Sequence, residues 1–62
     1  MYRVDIYIDS RGKARRVKNV ANNIPTFEEA DRLCSQKNRD LGIDPDKMKV
    51  RPGQKYCMFD SR

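Results

Sequence analysis

The stretch that decides the fold is Tyr2–Asp9, which reads YRVDIYID. Polar or charged residues alternate along it with four apolar ones, namely Tyr2, Val4, Ile6 and Ile8. An alternation of this kind places one side of an extended strand in a core and the other side in water. The pattern therefore predicts a half-buried strand.

The residues that follow predict a hairpin. Asp9-Ser10-Arg11-Gly12 suits a type I turn closed by a left-handed residue, because Asp is favoured at the start of such a turn and Gly at its end. The next strand, from about Lys13 to Val20, is mostly basic, as is typical of an edge strand whose charges discourage aggregation. We expect residues 21–25 to form a connector.

A helix signal comes next. In Thr26-Phe27-Glu28-Glu29 the Thr26 side chain can cap the first free amides and Glu29 can reach back, which is a capping box. The helix is expected from Phe27 to about Leu41, with Gly42 as its C-terminal cap. Its predicted apolar stripe consists of Phe27, Ala30, Leu33, Cys34 and Leu41, and the aliphatic stem of Lys37 extends it.

Two further strands are expected in the C-terminal part. Met48 and Val50 alternate with basic residues across Lys47–Arg51, and Pro52-Gly53 suits a type II turn before Lys55–Phe59. The predicted fold is a single α+β domain over residues 1–62, in the order β-β-α-β-β, with a small antiparallel sheet and one helix packed on one face. Because Tyr56–Phe59 is apolar on both sides, it is either a core strand or the contact of a homodimer.

The residues that most enzymes need are missing from the sequence. There is no histidine, which is the commonest general base and metal ligand, and the three glycines each fall at a turn or cap. The two cysteines, Cys34 and Cys57, are best explained as buried thiols in a reducing, cytoplasmic compartment, with a disulfide as the alternative. We expect a protein that is not an enzyme, binds no cofactor or metal and does not enter a membrane.

Charge is divided unevenly along the chain, whose net charge is +5. Residues 1–20 carry six cations and two anions, residues 21–46 carry three and six, and residues 47–62 carry five and one. Basic ends and an acidic middle predict two surfaces of opposite sign.

The basic ends suggest that the protein binds nucleic acid or another polyanion. Residues that alternate with core positions should share the sheet face away from the helix, and the hairpin tip should add further cations. The candidate binding residues are Arg3, Tyr7, Arg11, Lys13, Arg15, Arg16, Lys18, Lys47, Lys49 and Arg51. Tyr7, with Tyr56, could stack on a base. The competing interpretation is that an open sheet face must be polar in any case.

An alternative function is that of an effector that binds and modulates a host protein, through an open sheet edge or a charged patch. The hairpin Tyr2–Val20 followed by the helix from Thr26 resembles the arm-binding N-terminal domain of phage tyrosine integrases, although in that family the third strand precedes the helix. The segments Thr26–Ala30 and Val50–Pro52 resemble parts of small phage early proteins that inhibit host machinery. These resemblances imply a phage or mobile-element protein that contacts DNA or a host protein.

Overall fold

The order of elements in the computed structural model, which describes residues 1–61, is β-β-α-β. The elements are β1 (Tyr2–Ser10), β2 (Lys13–Ile24), α1 (Phe27–Asp40) and β3 (Lys55–Ser61). The strands form one antiparallel sheet in the order β2-β1-β3. The predicted α+β class is confirmed, and the predicted order of elements is correct except for one strand.

The central strand β1 decides which residues reach the core. Both β2 and β3 are antiparallel to β1, so they run parallel to each other and α1 connects them across one face of the sheet. That face is called the α1 side here, and the opposite face is called the open face. The core on the α1 side is formed by Val4, Ile24, Ala30, Cys34 and Cys57, with Tyr2, Ile6, Val20, Ala21, Leu33 and Phe59 packed around them. The alternation of β1 therefore predicted its buried side correctly.

The β1–β2 hairpin differs from the prediction in its turn and in the C-terminal end of β2. Ser10 pairs with Lys13, and both residues between them have positive φ (51° at Arg11, 78° at Gly12), as in a type I′ turn. The predicted type I turn is therefore wrong, because a two-residue turn must match the right-handed twist of its strands.

The predicted connector at residues 21–25 is also wrong for most of its length, since β2 continues to Ile24, which pairs with Tyr2. Asn22 and Asn23, which precede Ile24, thus lie within β2. They are accommodated in the strand by shifts of register and by a left-handed Asn23, with φ of 56°.

The helix has the predicted caps. The backbone N–H of Glu29 donates to the Thr26 hydroxyl oxygen at 3.3 Å. At the other end Gly42 has φ of 83°, its N–H donates to the Arg39 carbonyl at 3.0 Å, and the Ile43 N–H donates to the Asn38 carbonyl at 2.8 Å. This pair of bonds is a Schellman motif, and Ile43 following it is buried.

The third predicted strand, Lys47–Arg51, is not formed. The Asp44 side chain accepts from the Asp46 N–H at 3.0 Å, and the Asp44 carbonyl accepts from the N–H groups of Lys47 and Met48 at 3.1 and 3.0 Å. The two amides that would begin the strand are thus used in a turn. Lys47, Lys49 and Arg51 consequently lie in the connection between α1 and β3, and the prediction that they share the open face with Arg3 and Tyr7 is wrong.

The predicted type II turn before β3 is confirmed. Gly53 has φ of 83°, and the Gln54 N–H donates to the Arg51 carbonyl at 2.9 Å. The turn is fixed to β1, because the Gly53 N–H donates to the Asp9 carbonyl and the Asp9 N–H donates to the Gln54 carbonyl at 3.3 Å. The Arg51–Gln54 turn therefore lies beside the hairpin end of β1.

Asn38 closes the outer edge of β3 from the helix. Its side-chain oxygen accepts from the Cys57 N–H at 2.6 Å, and its side-chain nitrogen donates to the Cys57 carbonyl at 3.1 Å. The amide therefore replaces a neighbouring strand at this point, and only 1% of Asn38 is exposed. Since a strand edge with unpaired groups is a template for pairing, this contact opposes edge-to-edge association through β3 at Cys57.

Both cysteines are free and buried, as expected from the sequence. The Cys34 thiol donates to the Cys57 carbonyl at 2.7 Å, so the two residues join α1 to β3. The interaction with the neighbouring Cys34 side chain and the burial of Cys57 both raise the pKa of Cys57 above its ordinary value. The Cys57 thiol is thus held in its protonated form in the core.

Candidate nucleic-acid interface

Five of the predicted binding residues lie together on the β1–β2 hairpin. This group, called the basic hairpin, consists of Arg11, Lys13, Arg15, Arg16 and Lys18, all of which are exposed. Arg11 is in the turn and the other four are on β2, an edge strand of the sheet. The sequence predicted this cluster because a short hairpin necessarily brings its tip and second strand together.

The register of β2 divides these cations between the two sides of the sheet. Lys13, Arg15 and Lys18 are opposite Ser10, Ile8 and Ile6, and so they lie on the α1 side. Arg16 is opposite Tyr7, and so it lies on the open face. A shift of register between Ile6 and Tyr7 adds one residue to β2, which places Arg15 and Lys18 on the same side despite their odd spacing.

The cations of the basic hairpin are not neutralised within the described part of the chain. Both ion pairs formed by residues 1–61 belong to Arg3, and none involves the hairpin. Five positive charges therefore face solvent without a carboxylate partner among residues 1–61. Such an arrangement costs folding energy by repulsion and favours a polyanionic ligand.

Arg3 lies on the open face as predicted, but its charge is used within the protein. Its Nε lies 3.0 Å from Asp5 Oδ2, and its Nη2 lies 4.0 Å from Asp60 Oδ2. Asp5 is only 1% exposed and also accepts from the Asn19 side chain at 2.8 Å. Since a buried carboxylate needs a compensating charge, Arg3 has a structural role that competes with any contact to a phosphate.

Tyr7 also lies on the open face, where it stacks on Tyr56 across the strands. The ring centroids are 6.0 Å apart and the planes are inclined by 26°. Tyr56 is only 8% exposed, so its ring offers little surface to a base. Burial, and then the charge of Asp9, raise the pKa of Tyr56. The pair stabilises the sheet, as cross-strand aromatic pairs do.

The open face is mixed in charge rather than basic. Asp5, Asp9 and Tyr7 alternate with the core residues of β1, and Asp60 lies opposite Arg3 on β3. Among residues 1–61, two cations, Arg3 and Arg16, therefore share this face with three carboxylates. The prediction of a basic face was wrong because it depended on the three cations of the unformed strand.

The structure adds one basic residue, Lys55, to the candidate binding residues predicted from the sequence. Lys55 is the exposed first residue of β3. It pairs with Ile8 along one edge of β1, and Arg15 pairs with Ile8 along the other edge. Its position was indicated by the sequence, because Lys55 directly follows the Arg51–Gln54 turn. The missing information was that its strand lies next to β1.

Other kinds of site have little support in the described residues. Within residues 1–61, no group of three or more His, Cys, Asp or Glu side chains is arranged to hold a metal ion. None of the helices in that range has the length and apolar character needed to cross a bilayer. The chain matches no protein-family model, no curated protein and no solved structure. Its residues alone therefore carry the functional proposal.

Proposed function

We propose that the protein binds nucleic acid through the phosphate backbone, using the basic hairpin as its contact surface. The observation that supports this proposal is the concentration of five exposed cations, Arg11 to Lys18, without an ion-pair partner in residues 1–61. Each cation that contacts a phosphate releases condensed counterions, and this release supplies most of the affinity of sequence-independent binding.

The chemistry of the hairpin favours binding with little sequence preference. Arg11 to Lys18 contains no aromatic residue that could stack on a base. The nearby Asn19 and Asn22 side chains, which could read base edges, are hydrogen-bonded to each other at 2.9 and 3.2 Å. Phosphate contacts position a protein on its ligand but carry no sequence information.

The test is a titration of labelled DNA and RNA by fluorescence anisotropy at low salt, with two variants that each remove two charges. Arg15→Gln/Lys18→Gln changes the basic hairpin, and Arg32→Gln/Arg39→Gln changes exposed cations of α1 as a matched control. In the hairpin variant, the slope of log K against log salt concentration is expected to be about 2 less steep, since each phosphate contact contributes about 0.9 to this slope for a duplex. The control variant should leave this dependence close to that of the wild type. Equal losses in the two variants would contradict the proposal.

A protein partner is the second candidate function, and a different surface favours it. A groove of about 330 Å³ lies between α1, β3 and their connection, and it is lined by Cys34, Pro45, Met48, Met58 and Phe59 among others. Met48 and Met58 are 44% and 42% exposed. Exposed methionines are common on protein-binding surfaces. A nuclease-treated pull-down in which one protein binds saturably, and Met48→Gln/Met58→Gln releases it, would favour this function.

A further inference from the structure

A second row of cations, formed by Arg51 and Lys55, lies across β1 from the cations of β2. Ile8 of β1 pairs with Arg15 of β2 and with Lys55 of β3, so both exposed cations flank Ile8 on the α1 side. Arg51 is in the turn that leads into β3, and that turn is hydrogen-bonded to Asp9 of β1. The basic surface thus extends from the hairpin across β1 to the beginning of β3.

The spacing of the two rows follows from the sheet. Lys13, Arg15 and Lys18 lie along β2 and Lys55 lies at the start of β3, with β1 between them, while Arg51 lies in the turn before β3. Since neighbouring strands are about 4.8 Å apart, the backbones of the two rows are separated by about 10 Å. The part of β1 between them carries Ile8 and Ser10 on this side and no charge.

We propose that these two rows contact the two phosphate strands that border one groove of double-stranded DNA, which rests on the proposed function of the basic hairpin. The major groove of B-DNA is about 12 Å wide, close to the separation of the rows once their flexible side chains are included. A single strand presents one phosphate track and would use one row only. Single-strand binders also need aromatic side chains on which bases stack, and no residue of either row is aromatic.

Double-stranded DNA is favoured over double-stranded RNA by the same geometry. The major groove of A-form RNA is deep and narrow, so side chains on two rows about 10 Å apart cannot follow its walls. RNA duplex therefore serves as a comparison ligand with the same number of phosphates.

The test is an anisotropy titration with one oligonucleotide sequence as DNA duplex, single-stranded DNA and RNA duplex. The variants are Arg51→Gln/Lys55→Gln, which changes the second row, and Arg15→Gln/Lys18→Gln, which changes the first. Arg32→Gln/Arg39→Gln on α1 is the control with equal charge loss. Urea unfolding of each variant confirms that all three fold like the wild type.

The wild type is expected to bind DNA duplex at least tenfold more tightly than the other two ligands. The second-row variant should lower the salt dependence for DNA duplex by about 2, and it should change single-strand binding no more than the control does. If the second-row variant behaves like the control on duplex while the first-row variant loses affinity, this inference is overturned and the proposed function stands. Equal or tighter binding of single-stranded DNA or RNA duplex also overturns the inference. If the wild type binds none of the three ligands, the proposed function itself fails.

Discussion

Replacing Asn38 should destabilise the protein more than any surface substitution on the same helix. In Asn38→Ala the Cys57 N–H loses its acceptor, and the Cys57 carbonyl loses one of its two donors. An unsatisfied buried donor costs about 1–3 kcal/mol, so we expect a loss of about 2–3 kcal/mol once the lost packing is included. A 62-residue domain has a stability of about 3–9 kcal/mol, so the variant should be partly unfolded well before the wild type in urea.

Asn38→Asp separates the hydrogen bonds of Asn38 from its volume. The new carboxylate would place an acceptor against the Cys57 carbonyl in the core, whereas the protonated carboxyl can donate to it. Burial therefore raises the folded pKa above the unfolded value of about 3.9. The stability deficit relative to wild type should be smallest below about pH 4 and should grow by up to about 1.4 kcal/mol per pH unit as pH rises through the folded pKa.

The assay is urea unfolding followed by far-ultraviolet circular dichroism at several pH values. Gln36→Ala and Gln36→Glu, at an exposed position of α1, are the matched controls. A cost for Asn38→Ala below about 0.5 kcal/mol, which is the usual range for surface substitutions, would refute the closure of β3 by Asn38. A deficit of Asn38→Asp that does not change with pH would refute the hydrogen-bond geometry.

Four further predictions concern stability and thiol access. Thr26→Ala should cost about 1 kcal/mol by removing the helix cap while Thr26→Ser should stay near wild type, and equal urea midpoints for the two would contradict the cap. Gly42→Ala should cost about 1–2 kcal/mol because Gly42 has φ of 83°, and an unchanged unfolding midpoint would argue against the left-handed cap. Because the pKa of Tyr56 is raised, its neutral form contributes stability that is lost as pH rises above about 10. Tyr56→Phe should therefore flatten the fall of the unfolding free energy above that pH. An equally steep fall in the variant would contradict this prediction. Cys34 and Cys57 should react with iodoacetamide far more slowly in buffer than in urea, and equal rates would contradict their burial.

Several parts of the fold that depend on local chemistry were predictable from the sequence. The alternation of Tyr2–Asp9, the Thr26 cap, the Gly42 terminus and the Pro52-Gly53 turn each depend on residues close together in the chain, and each is found in the structure. The strand predicted at Lys47–Arg51 failed because two alternating apolar residues are weak evidence. The hydrogen bonds of Asp44 to the following amides were stronger.

Features that depend on tertiary pairing were not predictable in the same way. Asn38 follows Ala30 and Cys34 at intervals of four residues on the buried side of α1, but a polar residue at that position gives no sign that it will bond to a strand edge. The side of the sheet on which Arg15 and Arg16 lie depends on shifts of register in β2, which composition does not reveal. The sequence thus predicted that the hairpin is basic, but only the register shows that Lys55 extends its surface.

The most direct test of the proposed function is the salt dependence of wild-type binding to a DNA duplex, measured by anisotropy. Log K should fall linearly with log salt, and three to five phosphate contacts from Arg11, Lys13, Arg15, Arg16 and Lys18 should alone give a slope of about −3 to −5, before any contribution of the second row. Absence of binding at low salt, or an affinity that salt does not change, would contradict the assignment of the basic hairpin as a phosphate-binding surface.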